Sequence, residues 1–309
     1  MRKRYNETLR QRKGLAFLFS RVQHIVLVLA VVATNAACLV RARRPDPRPV
    51  IGQTASLDEL TARIEQFDVI QTLRATVQLQ LSFVTDDEQL QELSNVNGFI
   101  LIQRPDDIRV LAQVPVVRTT ALEMASTGET FQVHLPTKDR FLVGDATSNK
   151  PSPKRVENIR PQHILEAILI ASPRDNLERP ALENTIEGQQ AYHVVNLIGP
   201  APGEGALRLS RKIWFERTNL EIVRQQVYDA AGDVATDVWY REWALEESVP
   251  FPHHIFVSRP TDGYTLQVRI LKMALNVDLP ENAFVLEPPP GTKVERVGET
   301  PEAEERAGR

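Results

Sequence analysis

The sequence predicts an α+β fold, in which an antiparallel sheet of about eleven or twelve strands carries one N-terminal and one inserted helix. The apolar period changes at Ala75, from the 3.6 residues of a helix to the two residues of a strand. Alternating segments then continue to Pro288, with turn signals about every 8–12 residues. One helical pattern interrupts them, beginning at Pro161 and ending before Pro173. A single helix within a run of strands indicates an α+β protein.

The first 37 residues have the features of a lipoprotein signal peptide. They carry seven Lys or Arg and one Glu, then nine apolar residues over 25–33, and they end in Ala36-Ala37 before Cys38. A signal-peptide core needs about 7–15 apolar residues, whereas a membrane-spanning helix needs about 20. The small residues before the cysteine are similar to the bacterial lipobox, except that Asn35 stands where leucine is usual. We expect cleavage of residues 1–37 and lipidation of Cys38.

Two alternatives remain for this segment, an uncleaved N-terminal membrane helix and cleavage to a soluble protein. All three interpretations place the remaining chain outside the cytoplasm. Residues 38–54 are rich in arginine and proline, which indicates an extended tether. We expect a single domain over residues 55–297, because no linker interrupts the strands, and a disordered acidic tail over residues 298–309.

The predicted elements follow in order from Ser56. Ser56 and Glu59 form a capping box, and the apolar stripe that ends at Ile70 predicts a helix of about four to five turns. The inserted helix begins at Pro161. Alternation and turns predict strands over residues 75–83, 97–103, 108–114, 122–125, 131–135, 140–143, 191–198, 207–215, 221–228, 234–243, 254–258 and 264–270.

The sequence contains no recognisable catalytic motif. H-E-x-x-H, G-x-S-x-G and C-x-x-C are absent, and the only cysteine is Cys38. His253 and His254 are adjacent, but strand alternation would point them to opposite faces, which disfavours a shared metal ion. We therefore expect a non-enzymatic protein without a metal or a cofactor. A hydrolase with a triad scattered along the sequence is the distant alternative.

The charge distribution disfavours nucleic acid as a partner. The formal net charge is −3, and because residues 1–37 carry +6, the rest of the chain carries −9. A domain that is this acidic is poorly suited to nucleic acid and to electrostatic docking on anionic lipid headgroups.

The order of several segments along the chain is similar to the order found in a known protein family. The capped helix runs into I-Q-T-L-R-A-T-V-Q-L-Q-L-S, then N-G-F-I-L-I-Q-R-P-D-D-I-R-V and F-Q-V-H-L-P-T-K-D-R-F-L-V-G, before the inserted helix. The later segments are I-W-F-E-R-T-N-L-E-I-V-R-Q-Q-V-Y-D-A-A-G-D, V-P-F-P-H-H-I-F-V-S-R-P and L-N-V-D-L-P-E-N-A-F-V-L-E-P-P-P-G. Over residues 55–295 this order resembles the bacterial LolA/LolB-like lipoprotein-carrier superfamily.

The resemblance implies a strongly curved, incomplete antiparallel barrel, with helices closing its mouth over an apolar cavity for acyl chains. In that family, soluble members carry lipoproteins through the periplasm, and lipid-anchored members receive and insert them. Cys38 makes this chain look like the anchored type. Leu39, rather than Asp, after the cysteine implies the outer membrane of a bacterial envelope, with the domain facing the periplasm. An envelope protein is a further candidate partner.

The apolar parity of the predicted strands supplies candidate wall residues for such a cavity. Burying an acyl chain there would contribute about 0.8 kcal/mol per CH₂ group. Periodicity identifies a buried face but not an empty one, so the same residues would equally fill a closed core. In that alternative the protein is an anchored structural or accessory subunit of an envelope assembly and binds only protein. The candidates are Val77, Leu79, Leu81, Phe83, Phe99, Leu101, Phe131, Val133, Leu135, Tyr264, Leu266 and Val268.

Overall fold

One β-sheet dominates the part of the chain that the structure describes. The computed structural model describes residues 52–297, apart from 115–116, 118, 149–151, 153, 175–176 and 202–204. The predicted signal peptide, Cys38, most of the tether and the acidic tail lie outside the described residues. The strands are β1 (Thr72–Val84), β2 (Leu90–Gln103), β3 (Asp107–Gln113), β4 (Thr120–Thr127), β5 (Thr130–Leu135), β6 (Arg140–Asp145), β7 (Arg179–Glu187), β8 (Gln190–Pro200), β9 (Leu207–Glu216), β10 (Ile222–Tyr228), β11 (Val234–Glu246), β12 (Val249–Arg259), β13 (Tyr264–Leu275) and β14 (Lys293–Arg296).

The strands of the described residues form a single unclosed sheet. Their order is β14-β6-β5-β4-β3-β2-β1-β13-β12-β11-β10-β9-β8-β7, so β14 and β7 are the two edges. Neighbouring strands are antiparallel, except that β14 runs parallel to β6. The predicted antiparallel sheet is confirmed.

The predicted strand number is wrong, because the described residues contain fourteen strands. The alternation of apolar and polar residues in the sequence did not predict either edge strand, β7 or β14. Strand β7 buries none of its residues fully, and β14 has only four residues, all exposed or half-buried. An edge strand packs less side-chain surface, so it lacks the apolar alternation that marks an interior strand.

The N-terminal helix α1 (Leu57–Glu65) begins with the predicted capping box. The Glu59 amide donates to Ser56 Oγ at 3.2 Å, and the Ser56 amide donates to Glu59 Oε2 at 2.7 Å. The predicted length of four to five turns is wrong, since the α-helix ends at Glu65 and a short 3₁₀ helix follows over Gln66–Val69. This tighter turn carries Phe67 into the core, where its ring centroid lies 5.9 Å from that of Phe251.

The inserted helix α2 (Pro161–Ile168) begins at the predicted proline. It buries Ile164, Leu165 and Ile168 against the sheet. A 3₁₀ turn over Arg155–Asn158 precedes it and contacts β1. None of the helices in the described residues is long and apolar enough to cross a membrane.

The sheet is curved around α2. This helix contacts β3 and β4 on one side and β12 on the other, although β2, β1 and β13 lie between them in the sheet. Only a concave sheet brings these separated strands to one short helix. Helix α1 contacts β7 and β8, so both helices lie on this inner face. Their apolar side chains join one continuous core with inward-facing residues of the sheet.

Part of the outer face is covered by the chain that follows β13. Leu286 packs on Ala125 and Phe141, and its amide donates to Gln132 Oε1 at 3.1 Å. The Ala283 carbonyl accepts a hydrogen bond from Arg109 at 3.0 Å. This segment therefore covers part of the outer face of β4–β6.

Candidate functional site: an apolar cavity beneath helix α2

A small cavity lies between α2 and the concave face of the sheet. Its volume is about 20 Å³, which is room for roughly one water molecule. Every lining side chain is apolar except Tyr264, whose hydroxyl lies 3.1 Å from His163 Nδ1. The lining residues are Leu79, Leu81, Leu93, Val96, Ile100, Val110, Ala112, Leu122, Met124, Ile159, Ile164, Tyr264 and Leu266.

Strand alternation and register place these side chains on one face. Leu81 pairs with Leu266 on β13 and with Leu93 on β2, forming an apolar row across three strands. The register of β2 shifts beside this row, where Asn95 has a positive φ of 54°. Gly98 is required next to it, because a Cβ there would lie 2.4 Å from the Leu111 carbonyl oxygen. The wall thus depends on a bulge and on a glycine as well as on apolar side chains.

The structure places most of the twelve predicted wall residues on the inner side of the sheet. Leu79, Leu81, Tyr264 and Leu266 line the cavity. The others within the same core do not reach it. These are Val77, Phe131, Val133 and Val268, which are buried, and Phe83 and Leu135, which are half-buried.

Phe99 and Leu101 are wrongly predicted as wall residues. Phe99 is 45% exposed, and Leu101 pairs with the exposed Arg74, which puts both on the outer face. Ile100 and Ile102 are buried in their place. Residues 99–102 are all apolar, so alternation alone does not distinguish the two faces of this strand.

The sequence analysis did not predict nine of the thirteen lining residues. Val110, Ala112, Leu122 and Met124 belong to β3 and β4, and their alternation with polar or outward residues was a usable signal. Ile159 lies in the loop that enters α2 and reaches the cavity only through the tertiary fold. The remaining four are Leu93, Val96, Ile100 and Ile164.

Helix α2 is held over the cavity by polar contacts as well as by its apolar face. Gln162 Nε2 donates to Ser126 Oγ on β4. On the other side, the Tyr240 hydroxyl donates to the Ala167 carbonyl at 2.9 Å. Burial raises the pKa of Tyr240 far above its usual range, so this hydroxyl keeps its proton.

Charged groups lie at both ends of the helix. Desolvation, together with the positive charges of Arg259 and Arg160, lowers the pKa of His163 well below its ordinary value. Burial alone would raise the pKa of Glu178, but hydrogen bonds and charge from Arg211, with the Ser210 hydroxyl, lower it to about 2. His163 is thus neutral and Glu178 ionised at neutral pH.

No metal-binding cluster accompanies the cavity in the described residues. No three His, Cys, Asp or Glu side chains there come together as a metal site requires. His253 Nε2 lies 2.9 Å from Glu246, and His254 Nδ1 lies 3.9 Å from Glu242, so the adjacent histidines have separate partners.

Comparisons with known proteins find similar folds and no sequence relatives. No protein-family model matches the chain, and no curated protein matches its sequence. A LolA superfamily protein from Nitrosomonas europaea is 13% identical, with a TM-score of 0.45, and the match covers 75% of this chain and 99% of that one. A DUF1329 family protein from Desulfovibrio piger is 13% identical, with a TM-score of 0.49 over 74% of this chain and 95% of that one.

A third similar structure is an outer membrane lipoprotein-sorting protein domain from Vibrio parahaemolyticus. It is 14% identical, with a TM-score of 0.44, and the match covers 74% of this chain and 93% of that one. At identities of 13–14% and TM-scores below 0.5, none of these three structures assigns a function to this chain.

Proposed function

We propose that this domain is a non-enzymatic carrier that binds an acyl chain of a lipid or a lipoprotein between α2 and the concave sheet. The observation that carries the proposal is the apolar lining of the cavity, where Tyr264 supplies the single polar atom and already has a partner. Such a wall favours a hydrocarbon chain, at about 0.8 kcal/mol for each CH₂ group removed from water.

Binding in this proposal requires movement of α2. A volume of about 20 Å³ holds one water molecule and not an acyl chain. Ile159 and Ile164 form the roof of the cavity, and both belong to α2 or to the segment that enters it. Displacing this roof would expose the apolar inner side chains of β1–β4 that line the cavity.

In this function the domain is held at the bacterial outer membrane by a lipid on Cys38 and faces the periplasm. The acidic domain itself offers little electrostatic affinity for anionic lipid, so the anchor would keep it there. Cys38→Ala should abolish metabolic labelling with palmitate and release the protein from the membrane fraction. Unchanged labelling and fractionation would show that the lipid is not on this residue.

The test of the cavity is uptake of a fluorescent fatty acid by residues 39–309, with native mass spectrometry to detect lipid that copurifies. Ala112→Leu fills the cavity and should lower the uptake. Ala75→Leu is the matched control, because Ala75 is equally buried but does not line the cavity. Both substitutions overpack the core by about 1–3 kcal/mol, so a difference between them reports on the site. Equal uptake by the two variants would contradict binding at this cavity.

The second candidate is an anchored structural or accessory subunit of an envelope assembly, which binds protein only. The small cavity volume favours it, because a filled core needs no cargo. This candidate predicts an apo mass in native mass spectrometry and no fatty-acid uptake by the unmodified domain.

A further inference from the structure

A second pocket lies on the outer face of the sheet, over β11, β12 and β13. Its volume is about 250 Å³, more than ten times that of the inner cavity. It is lined by Trp239, Arg241, His254, Phe256 and Gln267. Unlike the inner cavity, it combines two aromatic rings with a cation, an imidazole and an amide.

Cross-strand register brings these five residues together. Trp239 pairs with Phe256, and Phe256 pairs with Gln267, which makes one row across the three strands. Arg241 pairs with His254 in a second row beside it. Their strand neighbours point into the core on the opposite face, since Val238, Tyr240, Ile255, Val257, Leu266 and Val268 are all buried.

Trp239 in the wall of the pocket is held in place by its cross-strand neighbour on β10, Arg224. The Arg224 guanidinium lies 4.4 Å from the ring centroid of Trp239 and 5.0 Å from that of Trp214, so it stacks against both. Asp237 fixes this guanidinium by accepting hydrogen bonds from Nε at 2.8 Å and from Nη2 at 2.6 Å. A ring that is fixed before binding costs little side-chain entropy when a ligand stacks on it.

Arg241 is a cation beside the aromatic rings that has no ionic partner among the described residues. Arg224 is neutralised by Asp237, and Arg269 donates to Glu242 at 2.7 Å. Arg241 is exposed, and it makes no hydrogen bond or ion pair with any residue that the structure describes. A free guanidinium beside two aromatic rings is suited to a planar acid group, because its N–H donors match carboxylate and phosphate oxygens.

We propose that the outer pocket binds a small organic anion that carries a flat ring. The ring lies against Trp239 and Phe256, and its carboxylate or phosphate pairs with Arg241. His254 and Gln267 supply the remaining hydrogen bonds at the rim. The volume is below the range of about 300–1,000 Å³ that larger ligands occupy, so the pocket fits one ring with one acid group. This site lies on the face opposite the acyl-chain site and does not depend on it.

Phenyl phosphate is the probe that combines both features. Its binding to the full chain in dodecyl maltoside micelles can be measured by isothermal titration calorimetry. We expect saturable binding, and we expect inorganic phosphate and benzyl alcohol to bind at least about tenfold more weakly, because each retains only one of the two contacts. Absence of saturable phenyl phosphate binding would overturn the proposal, as would equal binding of all three compounds.

Matched substitutions on the outer face locate the binding. Arg241→Gln and Phe256→Ala should each weaken phenyl phosphate binding by about tenfold or more. Arg74→Gln and Phe99→Ala remove the same groups from the outer face of β1 and β2, and should change it by less than about twofold. The circular dichroism spectrum of each variant reports whether it is folded. If the control variants weaken binding as much as the pocket variants, the pocket is not the site.

Discussion

Helix α2 is attached to the sheet by two different kinds of contact on its two sides. Towards β1–β4, the contact is apolar, through Ile159 and Ile164, and Gln162 adds a neutral hydrogen bond to Ser126. We call this the cavity side. Apolar surfaces that separate here can be covered again by a hydrocarbon chain, and the hydrogen bond exchanges for water at a net cost of about 0.5–1.5 kcal/mol.

On the other side, towards β9–β11, the segment that follows α2 is held by a buried ion pair. Arg211 donates to the carbonyls of Ala171 and Ser172, at 2.7 and 3.0 Å, in the segment after α2. The same guanidinium donates to Glu178 Oε2 at 2.6 Å, and the Glu178 side chain is only 1% exposed. We call this the ionic side.

The difference indicates which side would open. Separating the segment after α2, with Glu178, from Arg211 would leave a buried charge without its partner, at about 3–5 kcal/mol. Separating Ile159 and Ile164 from β1–β4 breaks apolar contacts, which a hydrocarbon chain can replace. In the proposed carrier, α2 would therefore pivot about the ionic side and lift from β1–β4.

The largest expected effect follows from breaking the ionic side. Glu178→Ala should lower the free energy of unfolding by about 3–5 kcal/mol at pH 7, because Arg211 loses its buried partner. Urea denaturation measures this. Glu183→Ala is the control, since Glu183 is 45% exposed in its 3.3 Å pair with Lys212 and should cost less than about 1 kcal/mol. Equal losses in the two variants would show that the ionic side does not hold the helix.

The contribution of the Glu178 carboxylate to the free energy of unfolding should depend on pH. The pKa of Glu178 is about 2 in the folded chain and 4.5 in the absence of these contacts. The unfolded chain therefore takes up this proton first as the pH falls. The stabilisation is complete above pH 4.5 and is lost towards pH 2, and Glu178→Gln should remove that part of the acid dependence.

The sequence predicts the inner surface of the sheet better than it predicts contacts between distant segments. Alternation in β1 correctly places Val77, Leu79 and Leu81 inside, because polar residues separate them. It fails for Phe99 and Leu101, where both faces of the strand are apolar. Local chemistry predicts the capping box at Ser56, since all its partners lie within one turn.

The ionic side and the outer pocket could not be predicted from the sequence. Arg211 and Glu178 are 33 residues apart and meet only through the packing of the loop after α2. Trp239 and Trp243 share strand parity, yet Glu242 between them has a positive φ of 58° and interrupts the alternation. Trp243 therefore packs on Phe67 in the core, and Trp239 remains on the outer face.

The next prediction concerns the stability and fatty-acid uptake of variants on the cavity side. Ile164→Ala should lower the free energy of unfolding by about 2–5 kcal/mol and enlarge the cavity, so fatty-acid uptake should rise. Ile168→Ala lies one turn further along the same helix, is equally buried and does not line the cavity. It should destabilise by a similar amount without raising uptake. A rise in both variants would mean that loosening α2, and not the cavity volume, controls uptake.

The smallest effect at neutral pH concerns His163, which lies in the first turn of α2 and contacts the Tyr264 hydroxyl. Desolvation and the positive charges of Arg259 and Arg160 lower its pKa in the folded chain, so the unfolded chain takes up the proton first as the pH falls below about 6.5. The free energy of unfolding should therefore decrease below pH 6.5. The glutamine in the variant His163→Gln cannot be protonated, so the substitution should flatten this decrease between pH 7.5 and 5, measured by urea denaturation. The loss below pH 4.5 that belongs to Glu178 should remain. Identical profiles for the two proteins would show that protonation of His163 does not loosen α2.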